Sequence, residues 1–322
     1  MSRRVAPLGW AAALWLALGG ATLAADAARP LAGQTVTVIE PFGRGSVTET
    51  VMRLLKPGME RALGARVVVE TVRSPDGGLA FERVAHARAD GHTLLAITDA
   101  TRLFLEHLSA SPQKLESMTA VAKLTDGVSL ALATAADSPV ADYAALARSM
   151  KAKNRPSLTL YGADSPAGVF AAIIEDDVGT RFGQRTYQVD SEIIDDLRTH
   201  RVAFGVLPTT ALVGPAGKAN RLRGLLTSGA QRHPQLADVP TLGEATGKKK
   251  LTFTVAVGLF GPPGMTDTLT AALFAAAQAA VQDEKAQAEA RQAALPLAVN
   301  DGAVLREAME RTHRVIRDLL AP

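Results

Sequence analysis

A strand, a glycine turn and a capped helix follow one another in Val36–Leu55, and this stretch constrains the fold most. Ser46 and Glu49 form the S-x-x-E pattern of a capping box, which predicts a helix beginning just after Ser46. A helix N-terminus beside a glycine turn offers backbone N–H groups and a positive dipole end to an anion. We therefore predict that this turn holds a carboxylate. An ordinary strand-to-helix turn is the alternative.

Nucleotide-binding motifs fit this stretch poorly. Gly43 and Gly45 match the first two glycines of G-x-G-x-x-G, but Thr48 stands where the third belongs. No Lys-Ser or Lys-Thr pair follows, which excludes a P-loop.

Strands and helices alternate after this opening. The β-branched run Ala65–Glu70 predicts a buried parallel strand, and His92–Thr98 predicts a third strand after an intervening helix. We expect Pro57 to interrupt the first helix, which then resumes and ends at Gly64. This β-α-β-α-β order predicts a parallel sheet with helices on both faces.

A second strand-turn-helix unit begins at Ser157–Gly162, so each half of the chain contains one. Further on, we expect a long apolar strand over Leu251–Phe260. Two helical segments, Thr266–Gln292 and Gly302–Leu320, are then expected to close the chain. The length of 322 residues fits two domains.

The N-terminus has the pattern of a signal peptide. Arg3 and Arg4 precede the short apolar run Trp10–Leu18, and small residues at Ala21–Ala25 suit cleavage. We expect residues 1–25 to be removed and the protein to be exported, with an uncleaved anchor as the alternative. The chain contains no cysteine, which fits a bacterial periplasm better than a disulfide-rich extracellular space.

Charge argues against nucleic acid as a partner. The formal net charge of +3 falls to +1 when Arg3 and Arg4 leave with the signal peptide. No basic stripe interleaved with aromatic residues remains. Both tryptophans, Trp10 and Trp15, also lie in the expected signal peptide.

Candidate ligand-binding residues follow the carboxyl ends of predicted strands, where open α/β sheets bind ligands. Arg44 and Arg102 are candidates to pair with a carboxylate of the ligand, although each also fits a solvated surface position. The full predicted set is Phe42, Gly43, Arg44, Gly45, Ser46, Thr48, Thr98, Asp99, Thr101, Arg102, Asp164, Ser165 and Pro208.

Motifs for catalysis are lacking in the sequence. The six histidines show no metal-ligand spacing, and there is neither a G-x-S-x-G elbow nor a cysteine nucleophile. We predict no enzyme activity, catalytic residue, metal or cofactor. An exported hydrolase is the enzyme alternative, and no motif supports it.

Several collinear segments together resemble one receptor family. They are Pro41-Phe42 with Gly45, Thr48 and Arg53; Val67–Glu70; Gly77-Gly78; Asp90–Leu95; Tyr187, Asp196 and Val202; Leu236–Thr241 with Glu244; and Gly258–Gly264. The chain resembles the extracytoplasmic solute receptors of tripartite tricarboxylate transporters, also called Bug receptors. Ser46, Glu49, Val189 and Ala203 depart from the family pattern.

The resemblance implies a two-lobed α/β periplasmic binding protein, a type II-like Venus flytrap with the ligand cleft between its lobes. Lobe 1 is expected over 34–125 and 255–322, and lobe 2 over 126–254. The implied function is capture of a small carboxylate by a monomer that delivers it to membrane transporter subunits or a sensor. A divergent receptor that no longer binds a carboxylate and acts through a partner is the alternative. The effector domain of a cytoplasmic regulator fits less well because of the signal peptide.

Overall fold

The computed structural model describes residues 29–73, 77–100, 115–151, 156–160, 165–187, 189–248 and 252–320. Within these segments the strands form two sheets, one of six strands and one of five. Helices pack against both sheets, so the chain has the predicted two-lobed α/β fold.

The first sheet combines parallel and antiparallel strands. In spatial order they are β11 (Leu297–Asp301), β4 (Thr119–Thr125), β10 (Val257–Gly261), β3 (Thr93–Thr98), β1 (Thr35–Glu40) and β2 (Arg66–Thr71). The parallel pairing of β1 with β2 and β3 is as predicted. The prediction that the second strand is buried was wrong, because β2 lies at the sheet edge and only Val67 is fully buried.

The second sheet contains β7 (Gly183–Thr186), β6 (Ser157–Leu160), β8 (Phe204–Pro208), β5 (Leu130–Ala135) and β9 (Leu222–Thr227), in this spatial order. β6 is parallel to both of its neighbours, whereas β5 is antiparallel to β8 and β9.

The helices are α1 (Val47–Leu63), α2 (Gly78–Ala85), α3 (Tyr143–Lys151), α4 (Pro166–Val178), α5 (Asp190–Arg198), α6 (Gly214–Asn220), α7 (Leu242–Thr246), α8 (Asp267–Val281), α9 (Glu284–Gln292) and α10 (Gly302–Leu320). Within the described segments, no helix combines the length and apolarity that crossing a membrane requires.

Helix α1 continues through Pro57, contrary to the predicted interruption. Pro57 is exposed, so the carbonyl that loses its backbone donor lies on the solvent side of the helix. Buried residues on the other side of α1 keep it packed, and Gly64 ends it in the left-handed conformation as predicted.

Three other features of the C-terminal part of the chain differ from prediction: one helix, the start of one strand, and one strand that was not predicted. The helix expected over Thr266–Gln292 is two helices, because Asp283 caps the backbone N–H of Ala286 and starts α9. The strand expected from Leu251 begins only at Val257, because the residues before it pass between the sheets. Strand β11 was missed, since its sequence LAVND has weak strand patterning and it lies at the edge of its sheet.

The two sheets share a continuous apolar core. Val38 of the first sheet and Leu132 of the second belong to one cluster of buried residues, together with Val255 between them. Helices α1 and α8 cross closely on the first sheet, where a Cβ added to Gly58 would come within 2.6 Å of the Cα of Ala280.

The chain passes between the sheets through residues 126–129 and 252–256. Val128 and Val255 exchange two backbone hydrogen bonds, of 2.7 and 2.9 Å, so the two passing segments are antiparallel. The first sheet draws its strands from residues 35–125 and 257–301, and the second from residues 130–227. On this grouping we propose that the lobes divide at the predicted positions.

Asp99 follows β3 and forms hydrogen bonds both to the second passing segment and to helix α10. Its carboxylate accepts hydrogen bonds from the N–H of Ala256 and from the hydroxyl of Thr312 on α10, each 2.9 Å long. Its own N–H donates to the carbonyl of Ala256 over 2.8 Å. Burial raises the pKa of the Asp99 carboxyl to about 6, and these hydrogen bonds only partly oppose the rise.

We predict that Asp99→Asn removes one component of the pH dependence of stability. The folded protein holds a proton on Asp99 up to a pH of about 6, whereas an unfolded aspartate loses it near 3.8. The free energy of unfolding should therefore fall, by up to about 3 kcal/mol, as pH rises through this window. Asparagine carries no such proton, can accept from Ala256 and can donate to Thr312. Thermal melting between pH 4 and pH 7 measures the effect.

The exposed Asp238 supplies a matched control, since Asp238→Asn should leave the slope of melting temperature against pH unchanged. An Asp99→Asn protein with the same slope as the wild type would contradict the role assigned to Asp99.

Candidate functional site

A buried glutamate shapes the glycine turn after β1. Glu40 is fully buried, and its carboxylate accepts hydrogen bonds from the N–H groups of Phe42 and Gly43, each 2.9 Å long. The hydroxyl of Thr71 on β2 donates to the same carboxylate. Gly43 and Gly45 have positive φ angles of 78° and 90°, which glycine adopts with the least strain. The amides of Phe42 and Gly43 thus serve the turn itself, and any anion site must use other donors.

Helix α1 begins at Val47 with part of the predicted capping box. The hydroxyl of Ser46 accepts from the N–H of Glu49 over 3.1 Å. The Glu49 carboxylate reaches the N–H of Gly45, over 3.4 Å, and not that of Ser46. The N–H of Ser46 donates to the carbonyl of Gly43, which explains the altered second half of the box.

Thr48 places an unused hydroxyl at this helix end. It is fully buried, and its Oγ1 has no hydrogen-bond partner among the described residues. Backbone N–H groups in the first turn of a helix have no acceptor within the helix, which applies to Val47 and Thr48. Because an unpaired buried hydroxyl is unfavourable, Thr48 is suited to donate to a bound ligand.

Two helices of the second lobe begin at the same place. Ser165 caps α4 by accepting from the N–H of Gly168 over 2.9 Å, and Pro166 and Ala167 form its first turn. Asp190 is the first residue of α5 and is only 2% exposed. Three helix N-termini therefore surround one space, and each contributes a positive dipole end.

The space between them is a cavity of about 80 Å³. One water needs roughly 10–15 Å³ by this measure, so the cavity holds several waters or a small organic acid. Its walls come from both sheets and from Val255 on the second passing segment. Most lining residues are apolar, and none of those described is an arginine, lysine or histidine.

Six of the predicted site residues line this cavity: Phe42, Ser46, Thr48, Thr98, Ser165 and Pro208. Four others do not. Gly43 is buried in the turn beside Arg73, Arg44 and Gly45 are exposed, and Asp99 holds the passing segment. Thr101, Arg102 and Asp164 lie outside the described residues.

Seven lining residues were not predicted from the sequence: Val47, Leu130, Pro166, Ala167, Asp190, Val206 and Val255. The first-turn residues Val47, Pro166 and Ala167 could have been found from their neighbours, because Ser46 and Ser165 are recognisable N-caps. Leu130, Val206 and Val255 look like ordinary core residues, and only the packing of the lobes brings them to the cavity.

The described residues contain no group of three histidine, aspartate or glutamate side chains placed to hold a metal ion. The described lining residues offer hydrogen bonding by hydroxyl and amide groups, the carboxyl group of Asp190, and apolar contact.

Comparison with known proteins agrees with this architecture. The chain is 27% identical to the protein BugT of Bordetella pertussis over 252 residues, which cover 76% of this chain and 74% of BugT. Its fold is similar to that of MatC from Rhodopseudomonas palustris with bound malate, with a TM-score of 0.77, 22% identity, and coverage of 88% of this chain and 99% of MatC. A second R. palustris protein, solved with adipate, gives a TM-score of 0.78 at 20% identity, covering 89% of this chain and 97% of that protein.

The family model of the tripartite tricarboxylate transporter family receptor matches residues 51–316, most of the chain. The chain, with its cavity between the two sheets, therefore belongs to the TctC family of tripartite tricarboxylate transporter receptors.

Proposed function

We propose that this protein is a periplasmic receptor that binds a small organic acid in the cavity between its lobes. The observation that carries the proposal is Thr48, whose buried hydroxyl has no partner among the described residues and lines the cavity at the N-terminus of α1. Hydrogen bonds to charged groups are worth about 1.5–3 kcal/mol, which is enough to decide whether an acid stays bound. Malate in MatC and adipate in the second R. palustris protein support an acid as the ligand class.

In this proposal the carboxylate lies against the first turns of α1 and α4. The positive ends of both helices stabilise its charge, and the hydroxyls of Thr48 and Ser46 lie in the same wall. No arginine is needed for this mode of binding. The apolar residues Leu130, Val206 and Val255 would enclose the remainder of the ligand and keep water away from the charge.

Ligand binding would favour the closed arrangement of the lobes, because groups on both sides then contact the same molecule. A ligand shifts such an equilibrium only by its preference for one state. The two passing segments are the only covalent links between the sheets in the described part of the chain. We infer that a transporter subunit recognises the closed form and that the protein acts as an exported monomer without nucleic acid.

We predict that Thr48→Val weakens acid binding roughly 10- to 100-fold while leaving the fold intact. Valine keeps the shape of threonine and removes only the unpaired hydroxyl, so the melting temperature of the free protein should stay the same or rise. The measurement is isothermal titration calorimetry of protein purified from a bacterial periplasmic extract and dialysed extensively. The probes are malate, succinate, adipate and monocarboxylates.

Thr50→Val, on the same helix but outside the cavity lining, is the matched control and should bind like the wild type. If Thr48→Val and Thr50→Val bind the acid with equal affinity, the hydroxyl of Thr48 does not contribute to binding. Failure of a folded wild-type protein to bind any acid would favour the alternative of a divergent receptor that acts through a partner.

A further inference from the structure

A second cavity lies on the other side of the segments that join the two sheets. This hinge groove has a volume of about 290 Å³. It is lined among others by Lys123 on β4, Ala230 after β9, Arg311 on α10, and Thr252, Phe253 and Thr254 of the second passing segment. Both lobes therefore contribute to its walls. The described residues that line it are all different from those that line the cavity proposed above to bind an acid, the acid cavity.

The acid cavity and the hinge groove share walls that are one chain thick. In the second passing segment, Val255 lines the acid cavity, whereas its neighbours Thr254 and Ala256 line the groove. The segment is extended where it pairs with the first passing segment, and successive side chains of an extended chain point to opposite sides. At the end of β3, Thr98 likewise lines the acid cavity and Asp99 lines the groove.

Several hydrogen-bond donors in the hinge groove are available to a ligand. Within the described part of the chain, the hydroxyls of Thr252 and Thr254 and the guanidinium of Arg311 form no hydrogen bond or ion pair. The side chain of Lys123 is only 12% exposed, and among the described residues its ammonium group contacts one carboxylate, that of Asp126, over 3.4 Å. An ammonium group has three hydrogens to donate, so Lys123 retains donors as well.

The carboxylates of the groove do not use up these donors. Each oxygen of Asp99 already accepts one hydrogen bond, from the N–H of Ala256 and from the hydroxyl of Thr312. The side chain of Asp126 is 67% exposed, so water screens its charge. Because polar groups in a partly buried site are favourable only when they are hydrogen-bonded, the groove suits a ligand that supplies several acceptor oxygens.

From these observations we propose that the hinge groove binds a small tetrahedral oxyanion, sulfate or phosphate, between Lys123 and Arg311. Such an ion accepts hydrogen bonds on four oxygens, which suits donors that come from a strand, a helix and the passing segment. Arginine binds an oxyanion through two parallel N–H groups, and lysine acts as a point charge. This site goes beyond the acid-binding function, and only the coupling between the two sites rests on that function.

An ion in the groove would influence the acid cavity through existing contacts. Phe253 lines the groove and packs edge to face against Phe170 of α4, with ring centroids 5.9 Å apart. The first turn of the same helix lines the acid cavity through Ala167. Because the walls of the groove come from both lobes, lobe movement changes their spacing. Linkage then requires the ion and the acid to alter each other's affinity by the same factor.

Isothermal titration calorimetry with sodium sulfate, and separately with sodium phosphate, tests the site at an ionic strength held constant with sodium chloride. We expect saturable binding of at least one ion by the wild type. Lys123→Met and Arg311→Gln should each weaken that binding by roughly 10-fold or more, because each removes a charged donor. Arg314→Gln is the matched control, since Arg314 is exposed on the same helix and is not among the lining residues. If Lys123→Met does not fold, the exposed Arg311 still decides the question.

The pH dependence of sulfate binding gives an independent measurement. The ionisable groups among the described lining residues are Asp99, Lys123, Asp126 and Arg311. Burial raises the pKa of Asp99 to about 6, so a lower pH removes one negative charge from the groove. Sulfate should therefore bind about 3-fold or more tightly at about pH 5 than at about pH 7.5, and Asp99→Asn should lose this difference. Equal affinity of the wild type at both pH values would contradict a site beside Asp99.

Coupling is measured by titrating the tightest-binding acid with and without saturating sulfate. The dissociation constant of the acid should change by roughly 5-fold or more in the wild type and stay the same in Arg311→Gln. An unchanged constant in the wild type would contradict the coupling.

The variants also separate the two sites. Sulfate binding that is lost in Thr48→Val and retained in Arg311→Gln would place the ion in the acid cavity and overturn the proposal, as would the absence of saturable binding by either ion. Sulfate binding that depends on Arg311, in a protein that binds no acid, would instead contradict the acid receptor and leave the hinge groove standing.

Discussion

The carboxylate of Glu40 holds the turn on which the proposed binding site depends. It is buried at the end of β1, where it accepts from two amides of the turn and from Thr71 on the neighbouring strand. Hydrogen bonds from several donors offset the cost of burying this carboxylate, and removing the carboxylate would deprive two backbone amides of their acceptor. The turn in turn sets where α1 starts, so Glu40 fixes the position of Thr48 without touching the cavity itself.

In the proposed site, hydroxyl groups and helix ends take the place expected for Arg44, whereas Arg102, the other expected arginine, lies outside the described residues. Arg44 is exposed beyond the turn, while the cavity is bordered by three helix N-termini and by hydroxyl groups. On this proposal the site would stabilise one carboxylate, and its described lining residues offer no basic side chain for a second.

Local patterns were sufficient to predict much of this fold. The strand-turn-helix at β1 and α1, the parallel pairing of the first three strands, and the ends of α1 follow from propensities and caps that neighbouring residues define. Pro57 was misjudged because tertiary packing of α1 outweighs one lost hydrogen bond. Leu130 and Val206 could not be assigned to a site, since only the placement of one lobe on the other distinguishes them from other core residues.

The central claim is that helix N-termini, and not arginines, bind the carboxylate of the ligand. A crystal structure of the protein with its tightest-binding acid tests this most directly. The claim predicts a ligand carboxylate within about 3 Å of Thr48 Oγ1 and of first-turn amides of α1 or α4, which is ordinary hydrogen-bond length. A carboxylate bound instead to an arginine, with the hydroxyl of Thr48 still unpaired, would contradict it.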